Sequence, residues 1–194
     1  MARNVFRDLQ KQVQQMASEQ EMQKLYQDCC KELAARFLRK VMKRTPVGKG
    51  SFEVVRDKDG TVKKYKRGKN KGKGKLKRLT NGGTLRRGWA AKTYEEAKSG
   101  KAPNVMEAVD ALQVARKGRI FEIRITNVVP YASFVELGHR QEPGRFVPVL
   151  GKRLKNGWVE GQFMMKISSE ELAAQAPAVL RKKFQEWLEG RLGR

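Results

Sequence analysis

The sequence is poor in the groups from which most active sites and metal centres are assembled. Its 194 residues hold one histidine, His139, and two cysteines, Cys29 and Cys30, which are neighbours. Adjacent cysteines cannot brace separate elements and fall short of a four-ligand metal set, so we read them as reduced packing residues. A lone histidine leaves little material for His-centred catalysis. No stretch approaches the roughly 18 apolar residues that span a bilayer, and the opening MARNVFRDLQKQVQQMASEQ lacks the apolar segment of a secretory signal. The expectation is a soluble protein made in the cytoplasm. Carboxylates are also scarce: 20 Asp and Glu face 43 Lys and Arg, leaving a formal charge of +23.

What is present suits an α+β fold. A hydrophobic fraction of 39% with three Trp, eight Phe and four Tyr can build a core, and the length suits one domain over 18–194, preceded by an arm or helix over 1–17. Met22, Leu25, Cys29, Leu33, Phe37 and Val41 step by three or four, which predicts an amphipathic helix from about Ser18 to Arg44 with a polar opposite face. Ser18 and Glu21 fit a capping box, and Thr45-Pro46 ends the run. Further on, Ala90–Thr93 is expected as a strand, Pro103–Lys117 as a helix stopped by Gly118, and Ile120–Thr126 as a strand with Phe121, Ile123 and Ile125 on its buried face. Tyr131–Gly138 reads as a short helix, and Phe146–Leu150 and Phe163–Ile167 as strands. The tail from Ser168 is helical, with a kink or a second helix expected at Pro177. Terminal helices around a small, mainly antiparallel sheet follow from this order.

Residues 43–80 change character. They carry 15 Lys and Arg against 3 Asp and Glu, about half of the net charge. Phe52–Val55 and Thr61–Tyr65 flank the turn signal Asp59-Gly60, which predicts a short hairpin, whereas Gly68–Lys75 has no apolar residue and is expected as a mobile loop. We treat about 48–83 as a basic insertion. Its candidate contacts to DNA or an acidic partner are Lys63, Lys64, Lys66, Arg67, Lys69, Lys71, Lys73, Lys75, Lys77 and Arg78.

Catalytic patterns do not assemble. Gly48-Lys49-Gly50-Ser51 has no strand before it and no helix after it, so it reads as a solvated turn rather than a phosphate loop. Asp57 and Asp59 beside Gly60 read as turn formers, and His139 with Glu136 has too few neighbouring ligands for a metal. The chain is not expected to be an enzyme, and no cofactor or metal is expected.

One set of residues is more informative. Thr45-Pro46-Val47 is followed by Gly83-Thr84-Leu85-Arg86-Arg87-Gly88-Trp89. Next come Asn127, Pro130-Tyr131-Ala132, Val135-Glu136 and Gly138-His139, and finally Gly144-Arg145-Phe146. In content and order this set resembles the neck and tail-completion family of tailed bacteriophages, the gene-product-ten-like head–tail joining proteins, similar in style to the minor tail protein Z of lambda-like phages. The resemblance spans roughly 20–167. It departs from the family pattern where the cationic segment separates TPV from LRxxW, and Tyr94–Lys117 reads as a second insertion.

The resemblance implies a non-enzymatic virion protein of the head–tail junction: a neck, tail-completion or tail-terminator ring subunit joining the tail to the DNA-filled head. It implies self-association as a hexamer ahead of a dodecamer, with neck or connector and tail-tube proteins as neighbours, phosphate contacts to packaged DNA, no membrane, and the host cytoplasm as the place of assembly. Thr45, Pro46, Leu85, Arg86, Trp89, Asn127, Tyr131, Ala132, Val135, Glu136, Gly138 and His139 are its motif residues and the candidate subunit contacts. The rival reading is a nucleic-acid-binding protein without sequence preference that uses 43–80. From packing alone, Leu85 and Trp89 would anchor in the core, and Tyr131, Phe134 and Val135 would seat the short helix on the sheet.

Overall fold

The structure, a computed structural model, describes residues 18–48, 52–78, 82–147 and 152–192. The expected arm over 1–17 and the residues 148–150 of the strand expected at Phe146 lie outside these. The architecture is α+β, with six helices and four separate two-stranded antiparallel ribbons among the described residues. The ribbons are two or three residues long per strand, so the expected sheet is divided rather than continuous. The chain gathers into two compact units, one built from 1–39, 105–125 and 166–194, the other from 40–104 and 126–165.

Helix α1 (Glu19–Arg44) belongs to the first unit up to Arg39 and to the second from Lys40. Its start is the expected capping box: the Ser18 N–H donates to Glu21 Oε2 at 2.8 Å, and the Glu21 N–H donates to Ser18 Oγ at 3.3 Å. Glu21 also pairs with Arg191, and these donors hold its carboxyl below the usual carboxylate range, the Ser18 backbone bond first. The buried stripe differs from the one the periodicity implies: Leu25, Phe37 and Val41 are buried as expected and are joined by Ala34, Ala35 and Leu38, whereas Met22, Cys29 and Leu33 are only half-buried.

Helix α4 (Val105–Asp110) buries Ala108 and Val109. The chain then turns into β3 (Ala115–Lys117), which pairs with β4 (Ile120–Glu122) across Gly118 at φ +63°. This corrects the single helix expected over Pro103–Lys117: the glycine read as a helix stop is the hairpin turn. The strand expected over Ile120–Thr126 is confined to Ile120–Glu122. Phe121 packs against Tyr26 with ring centroids 5.2 Å apart, and Cys30 Sγ lies 3.9 Å from the Phe121 carbonyl oxygen. Burial pushes both cysteine thiols up from their ordinary pKa.

Helix α6 (Met164–Leu192) is one uninterrupted helix containing Pro177, not two helices. The missing N–H forfeits one bond to the Ala173 carbonyl, and the rest of the helix continues through it. The strand expected over Phe163–Ile167 is also overturned, since Phe163 sits at φ +46° and α6 begins at the next residue.

In the second unit α1 ends at Thr45, whose N–H and hydroxyl both donate to the Val41 carbonyl, at 2.9 and 2.6 Å. Strand β1 (Phe52–Val54) pairs with β2 (Leu76–Arg78) in the register Phe52↔Arg78 and Val54↔Leu76. Helix α2 (Thr84–Arg87) follows, then α3 (Tyr94–Ser99). The strand expected at Ala90–Thr93 is replaced by a turn and a cap: Thr93 Oγ1 accepts the Glu96 N–H, and the Glu96 carboxylate accepts the Lys92 N–H. Helix α5 (Ala132–Leu137) runs directly into β5 (Gly138–Arg140), which pairs with β8 (Trp158–Glu160), while β6 (Phe146–Val147) pairs with β7 (Lys152–Arg153). Leu85, Trp89, Ala90, Ala91, Ala97, Val129 and Met164 are buried.

Candidate functional site

The motif residues converge in two places within the second unit. The first is a hydrogen-bonded node. Thr45, fully buried, is its hub: its carbonyl accepts Arg86 Nη2 at 2.9 Å and Nε at 3.3 Å, and its Oγ1 accepts Trp89 Nε1 at 2.8 Å. Those bonds satisfy the last polar groups of α1, which lose their helical partners where Pro46 ends the run. Pro46 itself is exposed. Asn127 is the clip between α2 and the following chain: its Nδ2 donates to the Leu85 carbonyl at 2.9 Å, and its Oδ1 accepts the Val129 N–H at 3.0 Å.

Gly88 lies between these parts. A Cβ there would sit 2.3 Å from Asn127 Oδ1 and 2.6 Å from Val129 Cγ2, closer than any side chain tolerates. Thr45, Leu85, Arg86, Trp89 and Asn127 are therefore brought together as a structural joint, with their polar groups facing one another.

The second place is the end of α5. Glu136 reaches the first turn of α6, where its Oε2 and Oε1 accept the Met165 N–H at 2.9 and 3.1 Å, a carboxylate at a helix N-terminus. The Val135 and Glu136 carbonyls accept the N–H groups of Gln162 and Phe163. The crossing is tight enough to exclude side chains: Gly138, at φ +83°, would place a Cβ 2.4 Å from the Val159 carbonyl oxygen, and Gly161 would place one 2.4 Å from that of Glu136. His139 turns towards Phe134, edge to face at 5.9 Å between centroids, and towards Gln141 at 3.4 Å. A Glu136–His139 pair does not form.

Ala132 and Val135 are half-buried on one side of α5. Of the three residues expected to seat the helix on a sheet, Val135 is half-buried, but Tyr131 and Phe134 stand 41% and 57% exposed, and Leu137 beside them 63%. Spaced by three, Tyr131, Phe134 and Leu137 form an apolar stripe on the outer side of the helix.

The basic candidates lie on a folded arm. Above the β1–β2 pair, Arg56 bridges Val62 and Lys64 bridges Gly74, so two short hairpins branch from one stem. The Gly68–Lys75 run, expected as a loop, lies outside the named strands and is a hydrogen-bonded turn. Lys71 N donates to Gly68 O, Gly72 N to Tyr65 O, and Tyr65 N to Lys73 O, all within 3.0 Å. Glycines at 68 and 72, both at positive φ, supply the turn that side chains would resist. Lys63 pairs with Asp57 at 2.8 Å, whereas Lys64, Lys66, Arg67, Lys69, Lys71, Lys73, Lys75 and Lys77 all point into solvent. Of the Arg78 side chain nothing is described. Among the described residues no three His, Cys, Asp or Glu side chains gather as a metal site.

A family model described as "Bacteriophage HK97-gp10, putative tail-component" matches residues 7–138. The chain belongs to this HK97-gp10-like family. Its members are structural components of the phage tail, which makes the protein a virion component. No curated protein and no solved structure gave a match. The match takes in the node and α5 and ends at Gly138, where the helix gives way to β5. No helix among the described residues is long and apolar enough to cross a membrane.

Sequence reasoning missed Gly161, Val129 and Leu137, and carried Gly88 within the motif without a role. A glycine two residues past Leu-Arg carries no local mark of tertiary crowding, and Gly161 is legible only once β8 lies against α5. The cap of α3 was readable: Thr93 and Glu96 have capping-box spacing.

Proposed function

We propose that this tail component acts at the head–tail junction, as a neck, tail-completion or tail-terminator subunit that forms a ring and joins the tail to the DNA-filled head. The observation that carries the reading is the stripe of Tyr131, Phe134 and Leu137. An isolated subunit that exposes three large apolar groups, one at the cap of a six-residue helix and two on the helix, leaves an interface uncovered. Glu136, Gly138 and Gly161 fix that helix rigidly from behind, so the stripe is presented in one orientation. A heterologous contact that closes on itself yields a ring, and a hexamer matches the sixfold symmetry that the family resemblance implies. The other surfaces of the ring would meet the connector on one side and the tail tube on the other.

Two measurements test this. The double variant F134D/L137D should sediment as a monomer where the parent forms a ring, with an unchanged circular dichroism spectrum. Particles lacking the protein should show free heads and unattached or overlong tails. A parent protein that stays monomeric at assembly concentrations, together with normal particles from the null mutant, overturns the reading.

A further inference from the structure

The branched arm separates its charges. Its carboxylates lie at 53, 57 and 59, and the two at the turn are occupied: Asp57 by Lys63, and Asp59 by the Thr61 N–H at 3.0 Å. From Lys64 to Arg78 there are nine Lys and Arg and no acid. Lys66, Arg67, Lys69, Lys71 and Lys73 crowd the tip of the second hairpin, exposed, and among the described residues no carboxylate lies within ion-pairing reach of them. Such a cluster is held together against its own repulsion by the backbone bonds Tyr65 N to Lys73 O, Gly72 N to Tyr65 O and Lys75 N to Lys63 O.

The chemistry of the tip selects its partner. Protein interfaces need an apolar or aromatic core, and residues 66–75 contain no apolar side chain. The one aromatic of residues 64–78, Tyr65, is half-buried with its hydroxyl receiving the Leu76 N–H at 3.4 Å, so this hairpin offers no platform for unstacked bases. A duplex backbone requires only closely spaced cations, and a two-stranded ribbon has the width of a major groove.

We propose that residues 64–77 bind the phosphate backbone of duplex DNA without base preference. The lysines and Arg67 neutralise phosphates and release their counterions. The hydrogen-bonded turn presents them in advance, so little ordering accompanies binding. This assignment concerns the subunit itself and does not depend on ring formation.

The experiment uses the full chain and a labelled duplex of random sequence, with affinity measured by fluorescence anisotropy between about 50 and 200 mM salt. Because the whole molecule is strongly basic, two variants with equal charge loss are compared: K66Q/R67Q/K69Q/K71Q on the arm, and K92Q/K98Q/K101Q/K155Q at exposed sites elsewhere. The arm variant should lower the slope of log K against log salt by about three to four, and the second variant by less than one. Equal losses in the two variants overturn the assignment in favour of diffuse charge. Equal displacement of the DNA by poly-L-glutamate at matched charge overturns it in favour of an acidic protein surface. If the arm variant loses its melting transition, the single variants K69Q and K71Q carry the same comparison, each with an expected slope change of about one against none for K98Q.

Discussion

Thr45 takes part in four hydrogen bonds with its side chain and carbonyl, and Trp89 Nε1 is one of their donors. A buried hydrogen bond contributes about 0.5 to 1.5 kcal/mol net. T45V keeps the shape and removes the acceptor, so it should destabilise the protein by that amount in urea unfolding. W89F removes the donor and leaves Thr45 still bonded to Val41. In a double-mutant cycle the two changes should be strongly non-additive, since both delete one contact. G88A is a sharper test of the node, because the new methyl meets Asn127 and Val129 without room to move. Overpacking of this kind costs about 1 to 3 kcal/mol, and the midpoint of urea unfolding should fall accordingly. The half-buried thiols of Cys29 and Cys30, with pKa raised by burial, fit the reading from sequence that they pack rather than react.

Helix α1 begins on a reciprocal cap and α6 begins on a carboxylate lent by α5, two solutions to the same problem of unpaired N–H groups at a helix start. The first is titratable. Glu21 has a folded pKa below its unfolded value, so its contribution is fully present above the ordinary carboxylate range and is lost as pH falls through the lowered value. The melting temperature of the parent should therefore drop more steeply than that of E21Q between neutral and acid pH, and the two curves should converge at the acid end. Pro177 offers the opposite sign. An alanine there restores the bond to the Ala173 carbonyl while loosening the unfolded chain, for a net gain of about 2 kcal/mol in P177A by denaturant titration. A gain that small is compatible with the unbroken helix: twenty-nine residues of bonding and burial outweigh one missing donor.

In the whole molecule two surfaces contrast. One is an apolar stripe on a rigid short helix, the other a cationic arm with its acids withdrawn. If the stripe closes a ring, the folded subunit is stabilised by mass action. The melting temperature of the parent should then rise with protein concentration, and that of F134D/L137D should not. The elements legible in advance were those with local grammar. The run from Met22 to Val41, the Ser18 and Glu21 cap, the stop at Thr45-Pro46 and the Tyr131–Gly138 helix all appear within a residue or so. Ala90–Thr93, Pro103–Lys117 and Phe163–Ile167 were misread because short apolar runs fit either period, and partners distant in sequence decided among them.

Residue order alone set the composition of the motifs, the sign and place of the charge, and the long helices, because capping, periodicity and Coulomb repulsion act between near neighbours. Packing in three dimensions chose the rest. It made Thr45 a hub, forbade a side chain at Gly88 and Gly161, folded the Gly68–Lys75 run, and left Phe134 and Leu137 facing outwards, since each of these depends on atoms that meet only after distant segments have come together.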